Sequence, residues 1–124
     1  MLLLVDDEID LREMLTHYLT LHGHTVQGAE NGLEALHLAK QNLPKLILLD
    51  LNMPVLNGWE FLSERRSCPQ LSEIPVVVIS ESMEVDSRAL EAGATVVVSK
   101  PFEPRKLLRI IENLLEAPHI RRDN

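Results

Sequence analysis

The chain has 124 residues, 45% of them hydrophobic and 25% charged, with a net charge of −7 and a single cysteine, Cys68. That length suits one compact domain able to bury a core without staples, and the lone cysteine excludes an internal disulfide; with no charged n-region or cleavage site ahead of the apolar start, a reducing cytoplasm is the expected compartment. The acidic balance, with no Lys/Arg stripe to offset it, argues against direct nucleic-acid contact, and no apolar run approaches the roughly 18 residues of a membrane span.

In chain order, "LLLV" (2–5) predicts a first strand that runs straight into Asp6, Asp7 and Glu8. One pair of like charges at about 4 Å costs roughly 4 kcal/mol at an effective dielectric of about 20, so this stretch asks for a cation. Leu11, Met14, Leu15 and Tyr18 recur at helical spacing and predict a first helix, stopped by Gly23. "HTVQG" (24–28) reads as the second strand, and Asn31 caps a second helix that buries Leu36 and Ala39. "LILL" (46–49) is the third strand, ending at Asp50, and Asn57 caps the third helix, "NGWEFLSERR". "VVVI" (76–79) is the fourth strand, a short helix near 84–92 ends at Gly93, and "TVVV" (95–98) is the fifth strand. The last two strands are apolar on both faces, the pattern of strands covered on both sides by helices. Leu107, Leu108, Ile111, Leu114 and Leu115 form the stripe of a fifth helix that Pro118 ends.

Five βα units predict an α/β fold, a doubly wound open parallel sheet with right-handed crossovers, in one domain over 1–117. Residues 118–124 are expected to be a C-terminal tail or linker stub. In such sheets ligands bind outside the carboxyl ends of the strands. Four strand ends deliver Asp6 and Asp7, Asp50, Ser80 and Lys100 to that edge.

A lone Asp-Asp pair is a weak signal, but "VDDE", "LLDLNMPVLNG", "VISES" and "AGATVVVSKPF" stand in order at suitable spacing along nearly the whole chain. Together they resemble the receiver domains of two-component response regulators. The resemblance implies a flavodoxin-like (βα)5 sheet of order 2-1-3-4-5. It implies a Mg²⁺-dependent phosphoacceptor in which Asp50 takes a phosphoryl group from a phosphohistidine on a sensor histidine kinase or histidine phosphotransfer protein.

Hard oxygen ligands suit Mg²⁺, with Mn²⁺ as an alternative. Asp7 is the first choice as direct ligand, with Asp6 acting directly or through water and Asp50 alongside; the family's third protein ligand corresponds to the backbone carbonyl of Asn52. Asp6, Asp7 and Asp50 sum to −3, which Mg²⁺ and Lys100 return to near zero. Asp50 would be the nucleophile, and Lys100 a point charge on the phosphoryl oxygens. Pro101 matches the family's cis-proline, which aims the lysine inward, and Ser80 the hydroxyl that moves toward the new phosphate. The output face would be the fourth helix, fifth strand and fifth helix, read by a downstream protein or a covalently linked output domain, with no membrane and no direct nucleic acid. Such a domain phosphorylates and dephosphorylates itself without being a turnover enzyme.

Two positions depart from the family pattern. Val97 stands where receivers commonly carry a Tyr or Phe, and Glu81 where the residue after the hydroxyl is usually small. Both keep open a receiver-like partner-binding module that works without phosphorylation. The rival enzyme is a small aspartyl-phosphate phosphohydrolase; those place a second Asp two residues after the nucleophile, where this chain has Asn52. Other residues take plainer roles. Glu8 favours a helix end, Trp59 packs, Cys68 is not catalytic, and His17, His22, His24, His37 and His119 are solvated. Arg65, Arg66, Arg121 and Arg122 are solvated helix-end and tail charges.

Overall fold

The computed structural model describes residues 1–51, 53, 55–81 and 86–116, the side chain of Asp86 excepted. Strands and helices alternate as β1 (Leu2–Val5), α1 (Ile9–Leu21), β2 (Val26–Ala29), α2 (Gly32–Gln41), β3 (Leu46–Asp50), α3 (Gly58–Arg66), β4 (Val76–Ser80), α4 (Asp86–Glu91), β5 (Val96–Ser99) and α5 (Pro104–Glu116). All strand pairs are parallel, in the order β2-β1-β3-β4-β5.

The pleat sends alternate side chains to opposite faces, and both faces are apolar. Leu3, Val5, Ile47, Leu49, Val76 and Val78 join residues of α2 and α3, among them Leu36, Phe61 and Leu62, in one core. Leu2, Leu4, Leu46, Leu48, Val77 and Ile79 join Leu15 and Leu19 of α1 and Leu107, Leu108 and Ile111 of α5 in the other. This two-sided burial explains why the three central strands read as unbroken apolar runs.

Local signals set the helix ends. The Asn31 side chain accepts from the Glu34 amide, and Asn57 with Glu60 forms a full capping box at α3. Gly23 and Gly93 close α1 and α4 with φ of 91° and 118°, as C′ glycines do.

Five expectations need correction. The second strand begins at Val26 rather than residue 24, because the His24 amide still donates to Leu19 of α1, and pairing starts where Leu2 donates to the Thr25 carbonyl. β5 is an edge strand, so Val96 and Val97 are only half-buried and Ser99 is exposed, rather than covered on both faces. Met14 is 41% exposed, while Leu15 and Leu19 carry the buried line of α1. Arg65 is buried, not solvated. Its guanidinium donates to the Ser72, Ile74 and Gly93 carbonyls, and burial, then the charge of Arg66, lowers its pKa.

Nor is His24 solvated as expected: it is half-buried because it meets Glu112 of α5 at 3.3 Å, while His17, His22 and His37 are exposed as expected. Trp59 packs against the core as expected, with the Arg88 guanidinium 5.5 Å from its ring centroid. The fifth helix runs to Glu116, and Pro118, His119 and the rest of the tail lie outside the described residues, as do residues 84 and 85 of the expected fourth helix.

Two glycines hold the segment after β3 against its surroundings. A Cβ on Gly58 would stand 2.5 Å from Leu51 Cα and 2.7 Å from the Asp50 carbonyl oxygen, and one on Gly32 would stand 2.2 Å from the Leu56 carbonyl oxygen. Between them Val55 and Leu56 take positive φ of 48° and 63°, which is costly for branched side chains. Gly58→Ala forces backbone rather than a flexible side chain to move. It is expected to destabilise the domain by about 2 kcal/mol, seen as a lower urea midpoint at unchanged slope; an unaltered midpoint refutes the contact.

Candidate functional site

The register of the sheet builds the site. Val5 pairs with Leu49, so the next residues, Asp6 and Asp50, emerge side by side at the carboxyl end. Asp50 pairs with Ile79 and Ser80 with Ser99, which brings Ser80 and Lys100 to the same edge. The Lys100 amide donates to the Ser80 carbonyl at 2.8 Å. Lys100 follows directly on β5 and precedes a cis peptide to Pro101.

One carboxylate oxygen each from Asp6, Asp7 and Asp50 lies within 4.8 Å of the others. Asp6 is 1% exposed and Asp50 7%, whereas Asp7 is exposed. Asp6 is pinned at three atoms: its amide donates to the Ala29 carbonyl at 3.0 Å, its Oδ1 accepts from the Glu8 amide at 2.8 Å, and its carbonyl accepts from Arg12 Nη1 at 2.6 Å. Its Oδ2 is buried and has no hydrogen-bond partner among the described residues. Burial raises the Asp6 pKa above the usual carboxylate value; the Glu8 amide and Lys100 counter this, and Asp7 and Glu8 add to it.

Lys100 is the positive counterpart. Its Nζ lies 3.9 Å from Asp50 Oδ2 and 3.9 Å from Glu81 Oε1, so it is shared between two carboxylates. Ser80 is 6% exposed. Val97 is half-buried and packs against the core on the α2 and α3 side of the sheet. Asn52 lies outside the described residues.

Asp6, Asp7 and Asp50 carry three negative charges against the single charge of Lys100. A buried carboxylate oxygen with nothing to accept from is a cost, and here it belongs to a cluster offering oxygen donors alone. That donor set fits a hard divalent cation such as Mg²⁺. Arg12 and Gly28 stand outside the sequence motifs. A glycine inside a strand pattern signals a close approach by another group, and a Cβ on Gly28 would stand 3.1 Å from Arg12 Cδ.

Known proteins share this fold. The response regulator receiver domain family matches residues 2–112. The chain is 44% identical over 116 residues to the transcriptional regulatory protein CpxR homolog of Haemophilus influenzae, covering 92% of this chain and 49% of that protein. It is 40% identical over 116 residues to the probable transcriptional regulator ycf29 of Pyropia yezoensis, covering 92% and 52% respectively. The chain thus spans about half the length of these curated relatives. The receiver domain of NtrX from Brucella abortus superposes with a TM-score of 0.87 at 32% identity, over 95% of this chain and all of that one.

Because the folded pKa of Asp6 is raised, the folded state holds that proton more tightly than the unfolded chain does. The metal-free protein therefore loses stability as pH rises from the ordinary carboxylate range through the raised value. Asp6→Asn removes the charge and keeps an oxygen for the Glu8 amide. At pH 7 in EDTA it is expected to raise the thermal midpoint by about 3–5 °C, a gain of roughly 1 kcal/mol. The gain should shrink below pH 4 and reverse in saturating Mg²⁺. A midpoint lower than the wild type in EDTA would contradict the raised pKa.

Proposed function

The chain belongs to the response regulator receiver domain family, and from that membership we propose that it is a phosphoacceptor whose nucleophile is Asp50. Receiver domains are signalling modules rather than turnover enzymes. The observation that carries the reading is the convergence of Asp6, Asp7 and Asp50 oxygens within 4.8 Å, with the Lys100 ammonium 3.9 Å from Asp50.

In this reading an Asp50 carboxylate oxygen attacks phosphorus in line; the new P–O bond forms as the P–N bond to a donor imidazole breaks, and the imidazole leaves. Asp6 and Asp7, with Asp50 and the Asn52 carbonyl, would hold Mg²⁺, which when bound offsets charge on the equatorial phosphoryl oxygens. Lys100 takes up the remaining oxygen charge. Ser80, whose carbonyl already binds the Lys100 amide at 2.8 Å, supplies a hydroxyl to the phosphoryl group and carries the start of the β4–α4 connection with it. That shifts the population between two arrangements by differential binding.

The donor is a histidine kinase or a histidine phosphotransfer protein, and the output surface is formed by α4, β5 and α5. Residues 1–117 form the receiver, and the remaining chain a tail or the start of a linker. The partner reading that surface is a separate protein or an output domain in the same chain, the second supported by relatives about twice as long. Among the described residues no helix is long and apolar enough to cross a membrane; the place of action in this reading is the cytoplasm.

Incubation with Mg²⁺ and acetyl phosphate, followed by intact mass, tests the reading. The wild type should gain a single phosphoryl adduct that is absent in EDTA and absent from Asp50→Asn; an adduct retained at the same level in Asp50→Asn defeats it. A second measurement concerns Glu81, which shares Lys100 with Asp50 and is a further negative charge facing an anionic donor. Glu81→Ala should accelerate phosphorylation by acetyl phosphate about threefold, a modest effect because the carboxylate is solvent-screened. An unchanged rate removes Glu81 from the account.

A further inference from the structure

Arg12 lies in the first turn of α1, its amide bonded to the Glu8 carbonyl. Side chains on a helix lean toward its N-terminus, and this one runs back along β2 to the site. Its stem passes over Gly28, whose Cβ position lies 3.1 Å from Cδ, 3.5 Å from Nε and 3.6 Å from Cγ. Its Nη1 then donates to the Asp6 carbonyl at 2.6 Å. With the bonds from Asp6 to Ala29 and from Glu8 to Asp6 Oδ1, this leaves Asp6 Oδ2, in the acidic cluster, as a buried carboxylate oxygen without a hydrogen-bond partner among the described residues.

We propose that Arg12 is a positioning residue for the cation site, holding the Asp6 main chain so that Oδ2 is presented to Mg²⁺, and that Gly28 is glycine because the Arg12 stem occupies the space of a side chain. The inference rests on reading Asp6, Asp7 and Asp50 as a Mg²⁺ site. A purely electrostatic Arg12 has the opposite signature. A guanidinium near a cation site repels the cation, so its removal would tighten Mg²⁺ binding, whereas loss of a positioning contact weakens it. Outer-shell partners of metal ligands typically contribute about tenfold to a hundredfold in affinity.

Gly28 separates positioning from simple structural support. Valine there places two methyl groups where the Arg12 stem lies and displaces it, yet valine suits an edge strand better than glycine does. The test is a MgCl₂ titration of the thermal midpoint, whose rise reports the dissociation constant, on the wild type, Arg12→Ala and Gly28→Val. Both variants should bind Mg²⁺ about tenfold more weakly, with Gly28→Val keeping at least the wild-type midpoint in EDTA. If the wild type rises with Mg²⁺ while both variants bind as tightly or more tightly, the positioning role is overturned and the cation site stands. If the wild type itself shows no rise, the cation site falls and this role with it. Should Arg12→Ala fail to unfold cooperatively, Gly28→Val decides the matter alone.

Discussion

The constraint on which the rest depends is the repulsion between carboxylates at the ends of neighbouring buried strands. The register of β1 and β3 leaves Asp6 beside Asp50, and a one-residue slip of either strand would exchange its side chains between two differently packed cores. Burying one unpaired charge costs several kcal/mol, which is of the order of a whole domain's net stability. The sheet therefore imposes the acidic cluster, and the cluster in turn demands Lys100 and, on the proposed function, a divalent cation. A site that is uncomfortable when empty gains more when a cation arrives than a relaxed one would.

The loops around the cluster are fitted as tightly as the strands. The Gly32 amide donates to the Leu56 carbonyl and the Gly58 amide to Leu51, both at 3.0 Å. The segment after Asp50 is thereby strapped to the first turn of α2 on one side and to the end of its own strand on the other. The left-handed Val55 and Leu56 are sustained by these contacts, since neither residue chooses that conformation by itself.

What could be read from the sequence divides along local and non-local lines. β1, β3 and β4 were legible to within a residue because a strand buried on both faces is a continuous apolar run, and α2 and α3 because Asn31 and Asn57 sit three residues before Glu34 and Glu60. Asp6, Asp7, Asp50, Ser80 and Lys100 were legible as strand-end residues, since a parallel sheet collects its strand ends at one edge. Arg65 was not, because its burial depends on carbonyls of Ser72, Ile74 and Gly93 that come together only in the fold. Arg12 escaped for the same reason, with Gly28 as its only trace. The shift of β2 came from one amide, that of His24, bonding backward into α1 instead of outward into the sheet.

Val97 in place of an aromatic ring raises the question of what else couples the site to the β4–α4 connection. Lys100 stands 3.9 Å from both Asp50 and Glu81, but the two partners are unequal. Glu81 has 72% of its side chain exposed and Asp50 only 9%, so solvent weakens the first attraction far more than the second. In the resting state Lys100 is therefore held chiefly by Asp50, with Glu81 as a loose second tether from the first residue beyond β4. On the proposed function, a phosphoryl group on Asp50 brings additional negative oxygens to the buried side of that balance and none to the exposed side. The attraction on the buried side of Lys100 would then outweigh that of the exposed Glu81 by more than it does at rest. That charge balance depends on no aromatic ring at position 97, where this chain has valine.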